Sequence, residues 1–344
     1  MTLTDVHTHV VPETLLRGSV EGGRVPTLSV SGGRGVVVAG GRERPVPATM
    51  WQLARRLDEV DALGIGHQVI SLFPPLLNPP TVGPDSARVF AQMNDWIADA
   101  ARSHPGRLTG LGALPVWDLQ AALAELQRVR ELGLFGVEIG THHDGIPVSD
   151  KRYRPLLDCA EELGLLVFLH GTGPGMCGEL PADSALSITI PLDMGFVLAA
   201  LIANGTLRDL PRLRLLAAHG GGSLAFTLPR FEQSWRRRPE LLDRLPLPPT
   251  EYARRIHYDT MVFDAAALAH LVATFGAGQV LLGSDYPVLP AQDSIALLNL
   301  AGGQEPWRTM VGHGNAASLL GHHLVPGRPA GGRDANATLT TEGV

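Results

Sequence analysis

The sequence has few of the residues that build disulfide frameworks or cysteine metal clusters. Cys159 and Cys177 are its only two cysteines, too few for a disulfide scaffold or a cysteine zinc cluster. We expect both to be buried or incidental thiols. Aromatic residues make up only 5% of the 344 residues, but apolar residues reach 44%, which is enough for a large core.

Long basic and long apolar stretches are absent as well. The longest basic run is Arg236-Arg237-Arg238 and the formal net charge is −6, which argues against a nucleic-acid-binding protein. No segment approaches roughly 18 uninterrupted apolar residues, and the N-terminus lacks a cationic region followed by an apolar run. We therefore expect a cytoplasmic protein that binds neither nucleic acid nor membrane and acts on a small soluble molecule.

Lysine occurs once, as Lys151, so 27 of the 28 basic side chains are arginines. A carbamylated lysine that bridges two metal ions needs a lysine at the end of a strand. Lys151 instead lies beyond the loop formed by residues 142–147. The sequence therefore favours a site with one metal ion over a site with two.

Apolar strand-like runs alternate with segments of helical periodicity along most of the chain. This alternation is typical of repeated strand–helix units around a parallel sheet. The eight strand candidates lie at residues 3–9, 67–72, 108–113, 135–139, 165–170, 215–219, 256–260 and 280–285. We predict an α/β fold of the (β/α)8 TIM-barrel type.

The predicted barrel forms one domain, residues 1–325. Residues 13–47 are rich in Gly, Val and Arg and contain short alternating runs, which predict a small β-rich insertion after the first strand. Residues 326–344 are rich in Gly, Ala, Thr and Asn and lack periodicity. We expect this tail to be flexible.

Metal-ligand side chains stand at the ends of several strand-like runs. His7 and His9 close the first run, His170 and His219 each end an apolar run, and Asp285 ends the last one. Residues two apart in a strand project to the same side. The strands of a parallel barrel all point the same way, and the active site lies at their carboxyl ends. The pattern therefore predicts one shared site.

Neutral imidazole and carboxylate groups suit Zn²⁺, Mn²⁺ or Fe²⁺. We predict that His7, His9 and His170 are the imidazole ligands of one catalytic divalent ion. Asp285 is predicted to bind the ion and also to take up a proton. His219 is predicted to be an acid or base beside the ion. The alternative interpretation is a set of unrelated core histidines.

Four segments carry a family resemblance: Asp5-Val6-His7-Thr8-His9-Val10-Val11-Pro12, Gly136-Val137-Glu138-Ile139-Gly140-Thr141-His142, Ala218-His219-Gly220-Gly221-Gly222 and Leu282-Gly283-Ser284-Asp285-Tyr286-Pro287. Through them the chain resembles the amidohydrolase superfamily, and within it the branch that contains 2-amino-3-carboxymuconate 6-semialdehyde decarboxylase. The resemblance implies a (β/α)8 barrel, a single divalent metal usually taken as zinc, and non-oxidative decarboxylation of unsaturated or aromatic carboxylic acids. By position, the metal ligands of that branch are matched by His7, His9, His170 and Asp285, and its catalytic histidine by His219.

The resemblance also implies two substrate-binding arginines. Arg44, seven residues before Trp51, matches an arginine that binds the substrate carboxylate. Arg238 matches one that reaches across a dimer interface into the neighbouring site. A planar guanidinium can hold a carboxylate through two hydrogen bonds. We therefore expect a homodimer, with a plain surface arginine as the alternative at either position.

The chain departs from that branch at two places. The loop after His170 reads Gly171-Thr172-Gly173-Pro174-Gly175-Met176, and no tryptophan occurs between Trp117 and Trp235. The resemblance implies tryptophans there, so the substrate pocket differs. Glu138 stands where the branch has glutamine, and we expect it to bind the ion weakly or to pair with an arginine, with substrate binding as the alternative. Loop or core positions are expected for His142, His143 and His257.

The leading hypothesis is a metal-dependent decarboxylase of a small unsaturated or aromatic carboxylic acid. The ion and Arg44 orient the substrate, His219 or metal-bound water protonates the carbon that carries the carboxylate, and Asp285 manages the proton of that water. The alternative is a hydrolase in which metal hydroxide attacks an amide, ester or ring carbonyl, with Asp285 as base and His219 stabilising the oxyanion. A barrel that binds a metal or ligand without catalysis is a third interpretation.

Overall fold

A computed structural model describes residues 2–17, 26–39, 41–77, 84–172, 180–181, 184–301 and 305–324. The predicted tail, 326–344, lies outside the described residues. So do positions 18–25 and 40 of the predicted insertion and most of the loop that follows His170. The domain boundary at residue 325 therefore stays a prediction.

Strands and helices alternate along the chain. The strands are β1 (Leu3–Val10), β2 (Thr27–Ser31), β3 (Arg34–Ala39), β4 (Arg42–Val46), β5 (Ile65–Leu72), β6 (Leu108–Ala113), β7 (Gly136–Gly140), β8 (His142–His143), β9 (Ile146–Pro147), β10 (Leu166–His170), β11 (Arg214–Ala217), β12 (His257–Asp259) and β13 (Val280–Leu281). The α-helices are α1 (Leu53–Ala62), α2 (Pro84–Ser103), α3 (Leu119–Glu131), α4 (Arg154–Leu163), α5 (Ala185–Ala203), α6 (Thr206–Asp209), α7 (Leu224–Arg237), α8 (Pro239–Arg244), α9 (Pro249–Ala253), α10 (Ala265–Phe275), α11 (Ala291–Ala301), α12 (Glu305–Thr309) and α13 (Asn315–Leu320).

Eight of the strands form one sheet in the order β1-β5-β6-β7-β10-β11-β12-β13. All neighbouring pairs are parallel. The sheet closes where β1 meets the segment that follows β13: Val6 N–H donates to Leu282 O (2.9 Å) and Asp285 N–H donates to His7 O (2.8 Å). The predicted (β/α)8 barrel is confirmed.

The apolar strand runs reflect burial on both faces of the sheet. All eight residues of β1 and all six of β6 are buried, as is usual where helices cover a parallel sheet. The helices begin and end at residues suited to those positions. Asp118 and Asp264 each accept two backbone N–H bonds at the start of α3 and α10, and Gly164 ends α4 in the left-handed region (φ 67°).

The predicted insertion is a three-stranded antiparallel sheet in the order β2-β3-β4. Thr27 to Ser31 pair with Val38 to Arg34, and β4 pairs with the other edge of β3. Leu28, Val37 and Val46 belong to the same hydrophobic core as the barrel strands. The small sheet therefore packs as part of the barrel.

Two barrel strands end before the residues that were expected to close them. β11 ends at Ala217 and β13 at Leu281, so His219 and Asp285 lie in the loops that follow. Both residues have positive φ, 56° and 63°, a left-handed conformation that side-chain-bearing residues rarely adopt. An apolar run predicts a strand but carries no signal for the turn at its end.

Helix α5 is apolar on most of its surface. Among the described residues it is the helix long and apolar enough to cross a membrane by length and composition, with a mean hydropathy of 2.0 over Leu186–Ala203. Its residues Met194, Val197 and Leu198 lie in the hydrophobic core of the barrel. Because one side packs in that core, we interpret α5 as a helix of the folded domain whose other side is exposed.

The burial of His67 can be tested through the pH dependence of protein stability. The ring is buried, with Nδ1 3.1 Å from Gly106 O and Nε2 2.9 Å from Thr109 Oγ1. Burial lowers its pKa from 6.5 to about 4. As pH falls below 6.5, the unfolded chain takes up a proton that the folded ring excludes until about pH 4, so the folded state loses stability in this window.

We expect the free energy of unfolding to fall by about 2 kcal/mol less in His67→Gln than in the wild type between pH 8 and pH 5. Urea unfolding at each pH measures the difference. The values at pH 8, where imidazole is neutral in both states, provide the baseline that removes the direct cost of the substitution. An identical pH dependence in the two proteins would contradict the prediction.

Candidate metal centre and active site

Four side chains meet at the carboxyl ends of the barrel strands. His7 and His9 lie on β1, His170 ends β10, and Asp285 follows β13. One donor atom from each lies within 4.8 Å of the others, and all four residues are buried. His7 Nε2 is 3.1 Å from both His9 Nε2 and His170 Nε2, and Asp285 Oδ1 is 2.9 Å from His9 Nε2. A buried His/Asp metal-binding site is therefore present.

The second nitrogen of each imidazole determines which atom can bind a metal. Each one faces an oxygen at hydrogen-bond distance: His7 Nδ1 and Asp259 Oδ2 (2.6 Å), His9 Nδ1 and Leu72 O (2.9 Å), His170 Nδ1 and Gly171 O (2.8 Å). These oxygens accept hydrogen bonds, so each neutral ring carries its proton on Nδ1 and directs the lone pair of Nε2 into the site.

Converging lone pairs need a cation. Nε2 atoms at 3.1 Å repel one another when neither carries a proton. Nitrogen ligands about 2.0–2.1 Å from one ion lie about 3 Å apart, so the observed spacing suits a shared divalent ion. With three imidazoles and a carboxylate, the donor set fits Zn²⁺ and its neighbours in the first transition series.

Burial keeps these rings neutral. It lowers the pKa of His7 well below 6.5, that of His9 to about 3 and that of His170 to about 4. Burial also raises the pKa of Asp285, while His7 acts in the opposite direction. At neutral pH the imidazoles therefore present lone pairs rather than protons to a cation.

Bonds between the first and last strands position Asp285. Asp5 Oδ2 accepts a hydrogen bond from Ser284 Oγ (2.6 Å), and Asp5 Oδ1 accepts one from Ser284 N (3.1 Å). The completely buried Arg56 donates to His9 O (2.8 Å) on the same strand. The residue before Asp285 is thus tied to the strand that carries two of the ligands.

His219 lies beside the ligands but is not one of the four mutually close groups. Its ring centroid is 4.8 Å from that of His170 and 5.4 Å from that of His7. Its buried Nδ1 has no hydrogen-bond partner in the part of the chain that the structure describes. Burial lowers its pKa well below 6.5, and His170 acts in the same direction. His219 thus lies next to the ligands, and its acid–base role stays a prediction.

Helix α5 covers the loops beside two of the histidines. Ser223 N donates to Pro191 O of α5 (2.9 Å), and a Cβ atom at Gly222 would lie 2.0 Å from that same oxygen. A Cβ atom at Gly171, next to His170, would lie 2.7 Å from Ile190 Cγ2. The triglycine segment therefore permits close contact between backbones.

The two predicted substrate arginines lie on other elements than the barrel strands that carry the ligands. Arg44 is half-buried on β4, where its Nη1 donates to Ala39 O (3.1 Å) and Arg42 O (3.4 Å). Arg238 is exposed between α7 and α8. Neither guanidinium has an ion pair or hydrogen bond to a described site residue, so their substrate-binding roles stay predictions.

Glu138 forms no ion pair with a described arginine, so that part of the expectation is not met, while weak binding of the ion stays a prediction. Its side chain is completely buried, with Oε1 3.9 Å from His9 Nδ1. Within the described residues, neither carboxyl oxygen has a hydrogen-bond partner. Burial raises its pKa well above 4.5, and Asp285 acts in the same direction. An uncharged acid needs no cationic partner, which explains why the pair is not formed.

The remaining residues singled out in the sequence are not among the four grouped ligands. His142 and His143 form the short strand β8, and His257 begins β12. Lys151 lies exposed in a 3-10 turn, Lys151–Tyr153, that precedes α4 rather than at a strand end. Cys159 is a free, half-buried cysteine, and Cys177 lies outside the described residues.

Asp259 is the site residue that the sequence interpretation missed. It is completely buried at the end of β12. Its carboxylate accepts four hydrogen bonds, from His7 Nδ1 (2.6 Å), His219 N (3.0 Å), Gly220 N (2.8 Å) and Met261 N (3.0 Å). The available signal was its position, because it stands at a predicted strand end as the ligands do.

Fold and site together define a metal-dependent enzyme built on a (β/α)8 barrel. The chain belongs to the amidohydrolase family, whose family model matches residues 4–322.

Two curated relatives are decarboxylases. The chain is 30% identical to 2-amino-3-carboxymuconate-6-semialdehyde decarboxylase of Dictyostelium discoideum over 290 residues, which cover 82% of this chain and 81% of that protein. It is 26% identical to gamma-resorcylate decarboxylase of Rhizobium sp. (strain MTP-10005) over 294 residues, 77% of this chain and 86% of that one.

A solved structure of similar fold contains manganese. It is a mutant of 5-carboxyvanillate decarboxylase from Novosphingobium aromaticivorans with bound manganese and 3-methoxy-4-hydroxy-5-nitrobenzoic acid. The TM-score is 0.75 at 19% sequence identity, over 92% of this chain and 96% of that one. At this identity the likeness shows the shared barrel.

We expect a chelator to lower the melting temperature of the protein and a divalent metal to restore it, because an ion that binds the folded site stabilises it by about 2.7 kcal/mol at a hundred times its Kd. His170→Ala, which removes one ligand, should abolish most of this response. His270→Ala, at an exposed histidine of α10, is the matched control and should respond as the wild type does. A metal response of His170→Ala equal to that of the control would refute the ligand assignment.

Proposed function

We propose that the protein is a metal-dependent, non-oxidative decarboxylase of a small unsaturated or aromatic carboxylic acid. The observation that carries the proposal is the buried set of three imidazoles with unprotonated Nε2 atoms, together with a fourth histidine held beside it. Two curated relatives that cover most of this chain are decarboxylases.

We propose one divalent ion, held by His7, His9, His170 and Asp285. Zn²⁺ is our first choice and Mn²⁺ or Fe²⁺ the alternatives, since the same donors accept all three and a protein of similar fold was solved with manganese. When bound, the ion supplies positive charge that orients a carboxylic acid and stabilises negative charge developing on it.

The chain's own residues then account for the proton. Decarboxylation breaks the bond to the carboxylate carbon, carbon dioxide leaves, and a proton takes its place on the remaining carbon. His219 Nδ1 has no partner among the described residues. Burial disfavours the protonated ring, so a proton held at His219 is readily given to carbon. Asp285, whose pKa burial raises, is the second group that can hold a proton.

We propose that Arg44 binds the substrate carboxylate. Its guanidinium donates to two backbone carbonyls, and no described acidic side chain forms an ion pair with it. A guanidinium without a carboxylate partner keeps its capacity for a bidentate bond to a substrate. Arg238, exposed at the end of α7, is proposed to reach the site of a second subunit.

The homodimer that Arg238 requires is supported by an exposed apolar stripe. Ile188, Leu192 and Phe196 recur every four residues on α5 and are each more than two-fifths exposed, and Phe226 on the adjoining α7 is 85% exposed. Large apolar side chains grouped in this way mark interaction surfaces. We propose that a second copy of the chain covers the stripe, and that the enzyme works in the cytoplasm, where its cysteines stay reduced.

Metal-loaded protein should release carbon dioxide from a panel of hydroxybenzoates and unsaturated dicarboxylates in the absence of oxygen. His219→Gln should lower kcat by about 10²- to 10⁴-fold, because it removes the proton donor, and Arg44→Met should chiefly raise KM. His270→Gln serves as control. Incorporation of labelled oxygen from water without release of carbon dioxide would instead indicate the hydrolase. A protein that retains no divalent metal would contradict both the decarboxylase and the hydrolase hypotheses.

Leu192→Glu should convert the dimer to a monomer in sedimentation velocity, because it places a charge in the proposed interface. Leu300→Glu, at a leucine of α11 that is 78% exposed against 45% for Leu192, should leave the dimer intact. If Arg238 crosses the interface, the Leu192→Glu monomer should also lose activity, and so should Arg238→Met in a protein that is still dimeric. A wild-type protein that sediments as a monomer at micromolar concentration would overturn the dimer.

A further inference from the structure

We infer that Asp259 is a positioning residue that fixes the metal-binding tautomer of His7 and the location of His219 at the same time. The part that concerns His219 rests on the proposed function. The part that concerns His7 rests on geometry alone and can be tested by metal binding without any reaction.

The first step is that Asp259 can only accept hydrogen bonds. Its Oδ1 faces Gly220 N (2.8 Å) and Met261 N (3.0 Å), and its Oδ2 faces His219 N (3.0 Å) and His7 Nδ1 (2.6 Å). Three of these four are backbone N–H groups, which are obligatory donors. Three N–H donors on its two oxygens favour the ionised form of Asp259, and an ionised carboxylate has no proton to donate. Asp259 therefore accepts in the remaining contact, and His7 carries its proton on Nδ1.

The second step is that this proton decides whether His7 can bind a metal. A neutral imidazole has one N–H and one lone pair. With the proton on Nδ1, the lone pair is on Nε2, which lies 3.1 Å from the Nε2 atoms of His9 and His170. With the proton on Nε2, an N–H group would point into the site and exclude the ion.

The third step is that the same carboxylate holds His219. His219 and Gly220 both adopt positive φ, 56° and 60°, and both donate their backbone N–H groups to Asp259. Oδ2 is shared between His219 N and the His7 ring. A single oxygen atom thus joins a metal ligand to the proposed proton donor, and displacement of one displaces the other.

Asp259→Asn is the informative substitution because it keeps the shape and changes one atom from acceptor to donor. The amide oxygen can still accept from Gly220 and Met261. The amide NH₂ then faces His7 Nδ1 and can bond it only if the ring proton moves to Nε2. It also faces His219 N–H, which loses its acceptor.

We expect the metal affinity of Asp259→Asn to be about 10- to 100-fold below that of the wild type, as for other residues that orient a ligand. Competition with a chromophoric chelator measures it for Zn²⁺ and Mn²⁺. Asp264→Asn is the matched control, since it makes the same change a few residues later at the start of α10, where asparagine caps a helix as well as aspartate does. Its affinity should stay within about threefold.

The histidine ¹⁵N spectrum of the metal-free wild type provides a test that survives if Asp259→Asn folds poorly. It should show His7 protonated on Nδ1, whereas Asp259→Asn should show protonation on Nε2. A wild-type His7 protonated on Nε2, or an unchanged metal affinity in folded Asp259→Asn, would overturn the inference.

At saturating metal, kcat of Asp259→Asn should remain at least about tenfold below that of the wild type, and full recovery would refute the part concerning His219. Failure of the wild type to decarboxylate anything would leave the metal and tautomer results standing.

Discussion

The structure depends on the hydrogen bonds that keep three mutually repelling imidazole nitrogens close together. Three imidazole rings direct unprotonated Nε2 atoms at one another, with His7 Nε2 3.1 Å from its counterparts on His9 and His170. Burial removes the water that would otherwise satisfy those lone pairs. The rings stay there because each donates its Nδ1 proton to a fixed oxygen. The hydrogen bonds on the far sides of the rings are therefore as much a part of the metal site as the ligand atoms.

A closed barrel is suited to hold such a site because each strand is bonded on both sides. β1 is paired with β5 on one side and joined to residues after β13 on the other. Among the described non-glycine residues, four have positive φ, and two of them are His219 and Asp285. A non-glycine residue in this conformation costs about 1–3 kcal/mol. The bonds of Asp5 to Ser284 and of Asp259 to Gly220 offset that cost.

The barrel and the ligand set were predictable from sequence for one physical reason. A histidine or aspartate at the end of an apolar strand breaks the burial pattern, and parallel topology brings such ends together. Asp259 follows the same pattern but was passed over, because its role is evident only from its hydrogen bond to His7 in the folded structure. The arginine partner expected for Glu138 is not found among the described residues, because burial can leave a carboxylic acid uncharged instead of pairing it with a cation.

The groups proposed to recognise substrate are carried by different elements from those that hold the metal. The four donors lie on or directly after barrel strands, while Arg44 lies on the inserted sheet. α5 meets the His219 turn through Pro191 O and the Gly222 backbone, so its side chains can vary without moving that turn. We conclude that the groups proposed to recognise substrate can change in this barrel while the imidazole geometry is preserved.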